Sequence, residues 1–254
     1  MFRQARINMG DYTVFQHAPI TEALLDIRVE LQQPVSLSNL DQYHEKIKER
    51  FPEKQQRIAF KANIKLAPEG ATAAIPTSEP DGYLFRSTAN NKIVQARLDG
   101  FTFNKLRPYE NWEAFKSEAQ ELWDFYYQIA GSLRITRLAL RYINRIEIPL
   151  PFKFKDYILT LPEVAPSLPQ AMSGFFMQLT IPNPDIEATA VINETIENVT
   201  DNQRLPLIFD IDVFREVNLI GNKPEMWAAF DQLRDFKNNV FFDSITEKTR
   251  GLFE

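Results

Sequence analysis

Arg137-Leu138-Ala139-Leu140-Arg141-Tyr142-Ile143-Asn144-Arg145-Ile146-Glu147-Ile148 is the stretch whose reading decides the fold. Side chains alternate across a strand, so Arg137, Arg141 and Arg145 share one face with Ala139, Ile143 and Glu147. Leu138, Leu140, Tyr142, Ile146 and Ile148 share the other, with Asn144 among them. One apolar and one cationic face describe an antiparallel strand whose sheet buries a single side.

The same alternation marks Glu22 to Leu31, with Leu25, Ile27, Val29 and Leu31 inward, and Arg57 to Leu66. Ser38 suits a helix N-cap before the stripe Leu40, Tyr43, Ile47 and Phe51. Pro68 to Pro80 reads as a loop. Strands follow at Gly82–Thr88, Lys92–Leu98 and Phe101–Leu106, with Asn90-Asn91 and Asp99-Gly100 as hairpin turns. Trp112, Phe115, Ala119, Leu122, Trp123, Tyr126 and Ile129 space out an amphipathic helix closed by Gly131. After the Arg137 strand come a short helical turn at Phe154–Leu161, a Pro-rich link, and strands near Met172–Ile181, Ile186–Ile196 and Leu207–Arg215. A last helix starts after Pro224, its stripe running Met226, Trp227, Phe230, Leu233, Phe236, Val240, Phe241, Ile245 and Leu252.

Two landmarks recur. Trp112-Glu-Ala-Phe115 matches Trp227-Ala-Ala-Phe230 at an offset of 115, and Leu25-Asp-Ile-Arg28 matches Leu138-Ala-Leu-Arg141 at 113. The expected fold is α+β: an antiparallel sheet of two tandem β-α-(β)n-α units, an internal duplication, with helices on one face. The segments are a lead at 1–17, a first half at 18–131 and a second at 132–254, either one pseudo-duplicated domain or two packed closely.

Composition narrows the chemistry. The absence of cysteine removes disulfides, zinc thiolates, Fe–S clusters and thiol nucleophiles, and eight glycines leave little for phosphate-cradling loops. A net charge of −5 disfavours bulk nucleic-acid binding, though a local basic patch is compatible with it. Residues 1–10 lack the apolar core of a signal peptide, and no run approaches the ~18 apolar residues of a membrane span. A cytoplasmic protein is expected.

Four motif groups occur in order: Ala18-Pro19-Ile20-Thr21-Glu22-Ala23-Leu24; Phe103-Asn104-Lys105-Leu106 with Tyr109-Glu110-Asn111-Trp112; Leu140-Arg141-Tyr142-Ile143-Asn144-Arg145-Ile146; and Ser173-Gly174-Phe175-Phe176. Together they resemble a sporadically distributed prokaryotic family of uncharacterised proteins of similar length. The resemblance implies no substrate or cofactor; patchy distribution points to a mobile or defence-associated context.

The candidate binding residues are Arg137, Arg141 and Arg145, about 13 Å apart at ~3.3 Å per residue, joined by Arg28, Arg97 and Asn144. Guanidinium forks suit phosphates and carboxylates. The plainer reading pairs them with Asp26, Glu147, Asp210 and Asp212 across a solvated sheet face. Asn144, on the apolar side, is either a structural bracket or part of a pocket. Asp210 and Asp212 share a strand face and are the candidate metal ligands for Mg²⁺, with Glu194 or Glu187 as a third acid. His17 and His44 read as solvent-exposed, and the tryptophan stripes as core. The function expected is non-enzymatic binding, without a cofactor, of an unknown protein or anionic ligand on the arginine face. Long edge strands also suit a homo-oligomer. The rival is a Mg²⁺-dependent enzyme acting on nucleotides or phosphodiesters.

Overall fold

The computed structural model describes residues 15–61, 64–67, 70–73, 77–170, 172–197, 203–221 and 224–254. The expected lead thus falls outside the described residues as far as residue 14. The strands are β1 (Ile20–Leu31), β2 (Glu53–Lys61), β3 (Ile64–Ala67), β4 (Gly70–Ala73), β5 (Thr77–Arg86), β6 (Lys92–Arg97), β7 (Gly100–Leu106), β8 (Leu133–Pro149), β9 (Phe176–Asn183), β10 (Ala188–Ile196) and β11 (Arg204–Ile220). The helices are α1 (Leu37–Ile47), α2 (Trp112–Ala130), α3 (Pro224–Ser244) and α4 (Glu247–Arg250). Among the described residues nine strands form one antiparallel sheet in the order β2-β5-β6-β7-β1-β8-β11-β10-β9, and β3 pairs only with β4. This is an α+β fold. None of its described helices is long and apolar enough to cross a membrane.

The sheet grows outward from its two middle strands. β1 pairs along its whole length with the Leu133–Asn144 part of β8, joining the two expected halves. From β1 the order continues through β7, β6 and β5 to β2, and from β8 through β11 and β10 to β9. In each direction the last strand of the half returns beside its first. The first half contributes five strands to this sheet and the second four, and a single 3₁₀ turn at Phe154–Asp156 stands where α1 occurs in the first.

Alternation explains the core. Phe85, Val94, Phe103, Leu25, Leu140, Val213 and Ala190 are successive cross-strand partners and form one row across seven strands, all fully buried. Helical rings lie on this surface: Tyr43 of α1 on Phe85, Trp123 and Tyr126 of α2 on Phe101, Phe115 on Phe103, and Phe241 of α3 on Phe209. Each buried aromatic removes a large apolar area from water, at about 25 cal/mol per Å².

Local chemistry sets the helix ends. Asn111 accepts the Ala114 N–H at 2.8 Å, and Gly131, at φ +69°, donates to the Tyr127 carbonyl as it turns the chain out of α2. The α1 cap is Ser36, not Ser38. Asn39, three residues on, donates its N–H to Ser36 Oγ and returns its own Oδ1 to the Ser36 N–H, a reciprocal box that Ser38 lacks. The expected loop at 68–80 includes β4 and the start of β5. Pro80 is tolerated there because β6 pairs with β5 only from Gly82 onward. The last helix stops at Ser244, where Ile245 bridges to Ile158 and Thr246 caps α4. His44 is half-buried against the Phe85 ring, not exposed, with Nε2 3.0 Å from the Phe51 carbonyl.

The two sheet edges differ. β2 carries Glu53, Lys54 and Arg57 and shifts register between Arg57 and Ile58. β9 reads Phe-Met-Gln-Leu-Thr-Ile-Pro-Asn without a charge, and Phe176 and Ile181 are exposed.

Candidate functional site

The arginines lie together as the alternation requires. Arg137, Arg141 and Arg145 project from the β8 face opposite Leu140 and Tyr142, and Arg28 stands directly across from Arg137. Every one of them meets a carboxylate. Arg97, almost fully buried, donates to Asp26 Oδ1 at 2.8 Å and Asp99 Oδ1 at 2.9 Å. Arg28 donates to Asp26 and Asp99 as well. Arg141 grips Asp210 with Nε and Nη2, both at 2.8 Å, and Asn193 donates to the same carboxylate. Arg145 pairs with Glu147 and Glu197. Arg137 sits 3.7 Å from Asp212 and 3.9 Å from Asp26, with its guanidinium over the Phe214 ring.

Burial opposes ionisation of Asp26, but the Arg97 guanidinium and the Thr102 hydroxyl outweigh it and hold the carboxyl below its usual range. An anionic partner on this face would have to displace carboxylates already paired with the guanidinium groups, one of them, Asp210 on Arg141, in bidentate contact.

Asp210 and Asp212 also share the arginine face. Asp210 is taken up by Arg141 and Asn193. Glu194 lies on the opposite face, in register with Phe209, and Glu187 pairs with Arg215. Among the described residues no group of three His, Asp or Glu side chains could hold a metal ion.

The other face contains a cavity of about 130 Å³ where the start of β1, the Tyr109–Glu113 segment, β8 and α3 meet. Tyr142 and Asn144 of β8 form its floor, Tyr109 one wall, and Lys237, Asn238 and Phe241 of α3 the opposite side. Lys237 is nine-tenths buried, with Nζ 3.9 Å from the centre of the Tyr142 ring, and makes no ion pair among the described residues. Burial, then the nearby Arg234 charge, push its amine down to about 7.

The Tyr109 and Tyr142 hydroxyls are 3.0 Å apart. Burial raises both, Tyr109 to about 12, so each keeps its proton at neutral pH. Asn144 donates to the Phe209 carbonyl at 3.0 Å, while its own amide oxygen receives no donor among the described residues. Asn238, also buried, makes no hydrogen bond among them. Three polar side chains, Lys237, Asn144 and Asn238, thus line one small, partly open space with hydrogen-bonding capacity that no described residue takes up.

A second recess, about 480 Å³, shares Ala18, Pro19, Ile20 and Tyr109 with the first and extends to Arg107, Arg145 and Arg204. Of the six expected binding residues, Asn144 therefore lines the cavity and Arg145 the recess beside it. Lys237, Asn238, Tyr109 and Tyr142 were not among them. A signal for Lys237 exists: the buried positions of α3 include 226, 230, 233, 237 and 241 at helical spacing, so the lysine occupies a core position of the stripe. Three of the four motif groups quoted above also converge here, through Ala18–Ile20, Tyr109–Trp112, and Tyr142 with Asn144. No protein-family model matches this chain, and no curated protein matches it.

Proposed function

We propose that this chain is a cytoplasmic, small-molecule-binding protein whose ligand occupies the cavity over Tyr142. The reading rests on Lys237, a buried amine with no counter-ion among the described residues, facing a partly open pocket beside two amides with spare capacity. An isolated buried amine is costly unless something meets it. The volume suits an aromatic ring with one small substituent, since a cavity of roughly 150 Å³ accepts benzene. The walls ask for an apolar body ending in a carbonyl or carboxylate oxygen directed at Nζ. Binding is thus assigned to the cavity instead of the arginine face, whose guanidinium groups are already engaged.

The same reading treats the chain as a tandem duplication with its helices on one face and the cavity at the junction of the halves. The mirrored strand order, the two sequence offsets and the helical rings on the Leu140 surface support it. Membership of the sporadic prokaryotic family belongs to this proposal and adds no substrate. Titration of benzyl alcohol and benzoate, followed by NMR, tests it. Saturable shifts at Tyr142 and Phe241 are expected, with affinity at least about tenfold weaker in Lys237→Met. Absence of saturable binding by either probe would overturn the reading.

A further inference from the structure

The Lys237 amine differs from the other buried cations among the described residues: Arg97 and Lys105 each reach a carboxylate, at 2.8 and 2.9 Å. Lys237 has instead an aromatic face below it, amides beside it and an open volume before it. We propose that Lys237 is a nucleophile that captures a small aldehyde or ketone as an imine inside this cavity. The inference rests on the cavity reading and adds a bond to it.

The geometry supplies what the step requires. The Nζ lone pair attacks the carbonyl carbon, the C=O π bond opens, and a proton passes from nitrogen to oxygen to give a carbinolamine. The C–O bond then breaks, the oxygen leaves as water with a second proton from nitrogen, and C=N forms. One water is released for each carbonyl consumed, and no oxidant or reductant takes part.

Tyr109 and Tyr142 offer two hydroxyl protons, of which their mutual contact uses one. The other is free to donate to the carbonyl oxygen as charge gathers there. The Asn144 amide oxygen and the Asn238 amide supply an acceptor and donors for the carbinolamine hydroxyl.

The groups facing Lys237 favour the free base. Arg234 on its own helix opposes protonation, and Asp235 offsets that in part. Across the cavity stand Tyr142 from β8, Tyr109 before α2, and Glu110 and Glu113 at its rim. Burial is the largest influence, so the amine stays reactive at neutral pH, where exposed lysines are almost wholly protonated. Capture should accelerate as pH rises through about 7 and then level off.

The full chain is incubated with benzaldehyde and sodium cyanoborohydride, and the adduct is located by peptide mass mapping. One adduct is expected, on Lys237, forming at least about tenfold faster than on any other lysine. Lys237→Met should lose it while remaining folded by thermal melt. Lys48→Met, at the exposed C-cap of α1, should keep it.

Equal labelling of many lysines, or the same adduct rate in Lys237→Met, would overturn the proposal. Benzyl alcohol, which has no carbonyl, separates the two claims. If it binds wild-type protein saturably and benzaldehyde leaves no adduct at Lys237, the nucleophile fails and the cavity reading stands. If neither binds, both fail.

Discussion

The arginine face and the Tyr142 face of one sheet handle charge in opposite ways. On the first, neighbouring strands place carboxylates and guanidinium groups at fixed lateral spacings of about 4.8 Å, so the arginines of β1 and β8 find partners on their own strand or the next, and Arg97 of β6 reaches across β7 to Asp26. Asp26 serves Arg28 and Arg97 with Arg137 close by, and Asp210 serves Arg141. On the second, among the described residues, the buried Glu194 carboxylate has no hydrogen-bond partner, and the buried Lys237 amine meets the Tyr142 ring but no carboxylate. Charge density alone therefore does not locate a site; charge left unmatched does. The conspicuous row of arginines is internally balanced, and the inconspicuous lysine is not.

Substitutions can break this contrast. Asp26→Ala should have the largest effect. It leaves Arg97 buried without its main counter-ion and should cost about 3–5 kcal/mol in urea unfolding. A loss under about 1 kcal/mol would mean that the network contributes little.

Lys237→Met should act in the opposite direction, stabilising the fold by about 2–3 kcal/mol at pH 7 because no charge need be desolvated. The sign follows from proton linkage. The native amine titrates near 7 and the unfolded one near 10.5, so between those values the unfolded chain holds more protons and wild-type stability climbs with pH. The methionine variant should lack that climb.

Glu194 sharpens the comparison. Burial raises its carboxyl from 4.5 to about 8, so the native state retains a proton that the unfolded chain has released. Wild-type stability should fall by about 2 kcal/mol as pH rises from 5 to 7, and Glu194→Gln should flatten that slope in unfolding curves taken across the range. The smallest effect is expected for Arg141→Ala, about 1 kcal/mol or less, because the arginine is half-exposed and Asn193 still serves Asp210. A loss as large as that of Asp26→Ala would show that exposure does not divide the face as argued.

The strands were legible in the sequence where one face is apolar and the other polar. In β8 the alternation assigned Leu138, Leu140, Tyr142, Ile146 and Ile148 inward with Asn144, and all six are buried. It also put the three arginines on one side. Their partners depended on register, which is set by β1 and β11 and cannot be read from β8 alone.

Lys237 was passed over because the stripe was traced through apolar residues only. Phe236 and Val240 do pack against the core, and the 3.6-residue period carries Lys237 into it as well. The Pro-rich stretch at 68–80 misled for another reason: proline count signals a loop, yet an unpaired strand flank accepts proline without loss. The cavity itself is assembled from four segments distant in sequence, so its shape was not legible at all.

The unequal edges of the sheet have a consequence for assembly. A charged, register-shifted margin at β2 resists extension, and an uncharged one at β9 does not. Two molecules joined β9 to β9 about a twofold axis would present only β2 margins to further neighbours. Any polymerisation along this sheet is therefore self-terminating: it stops at a pair and yields no fibre.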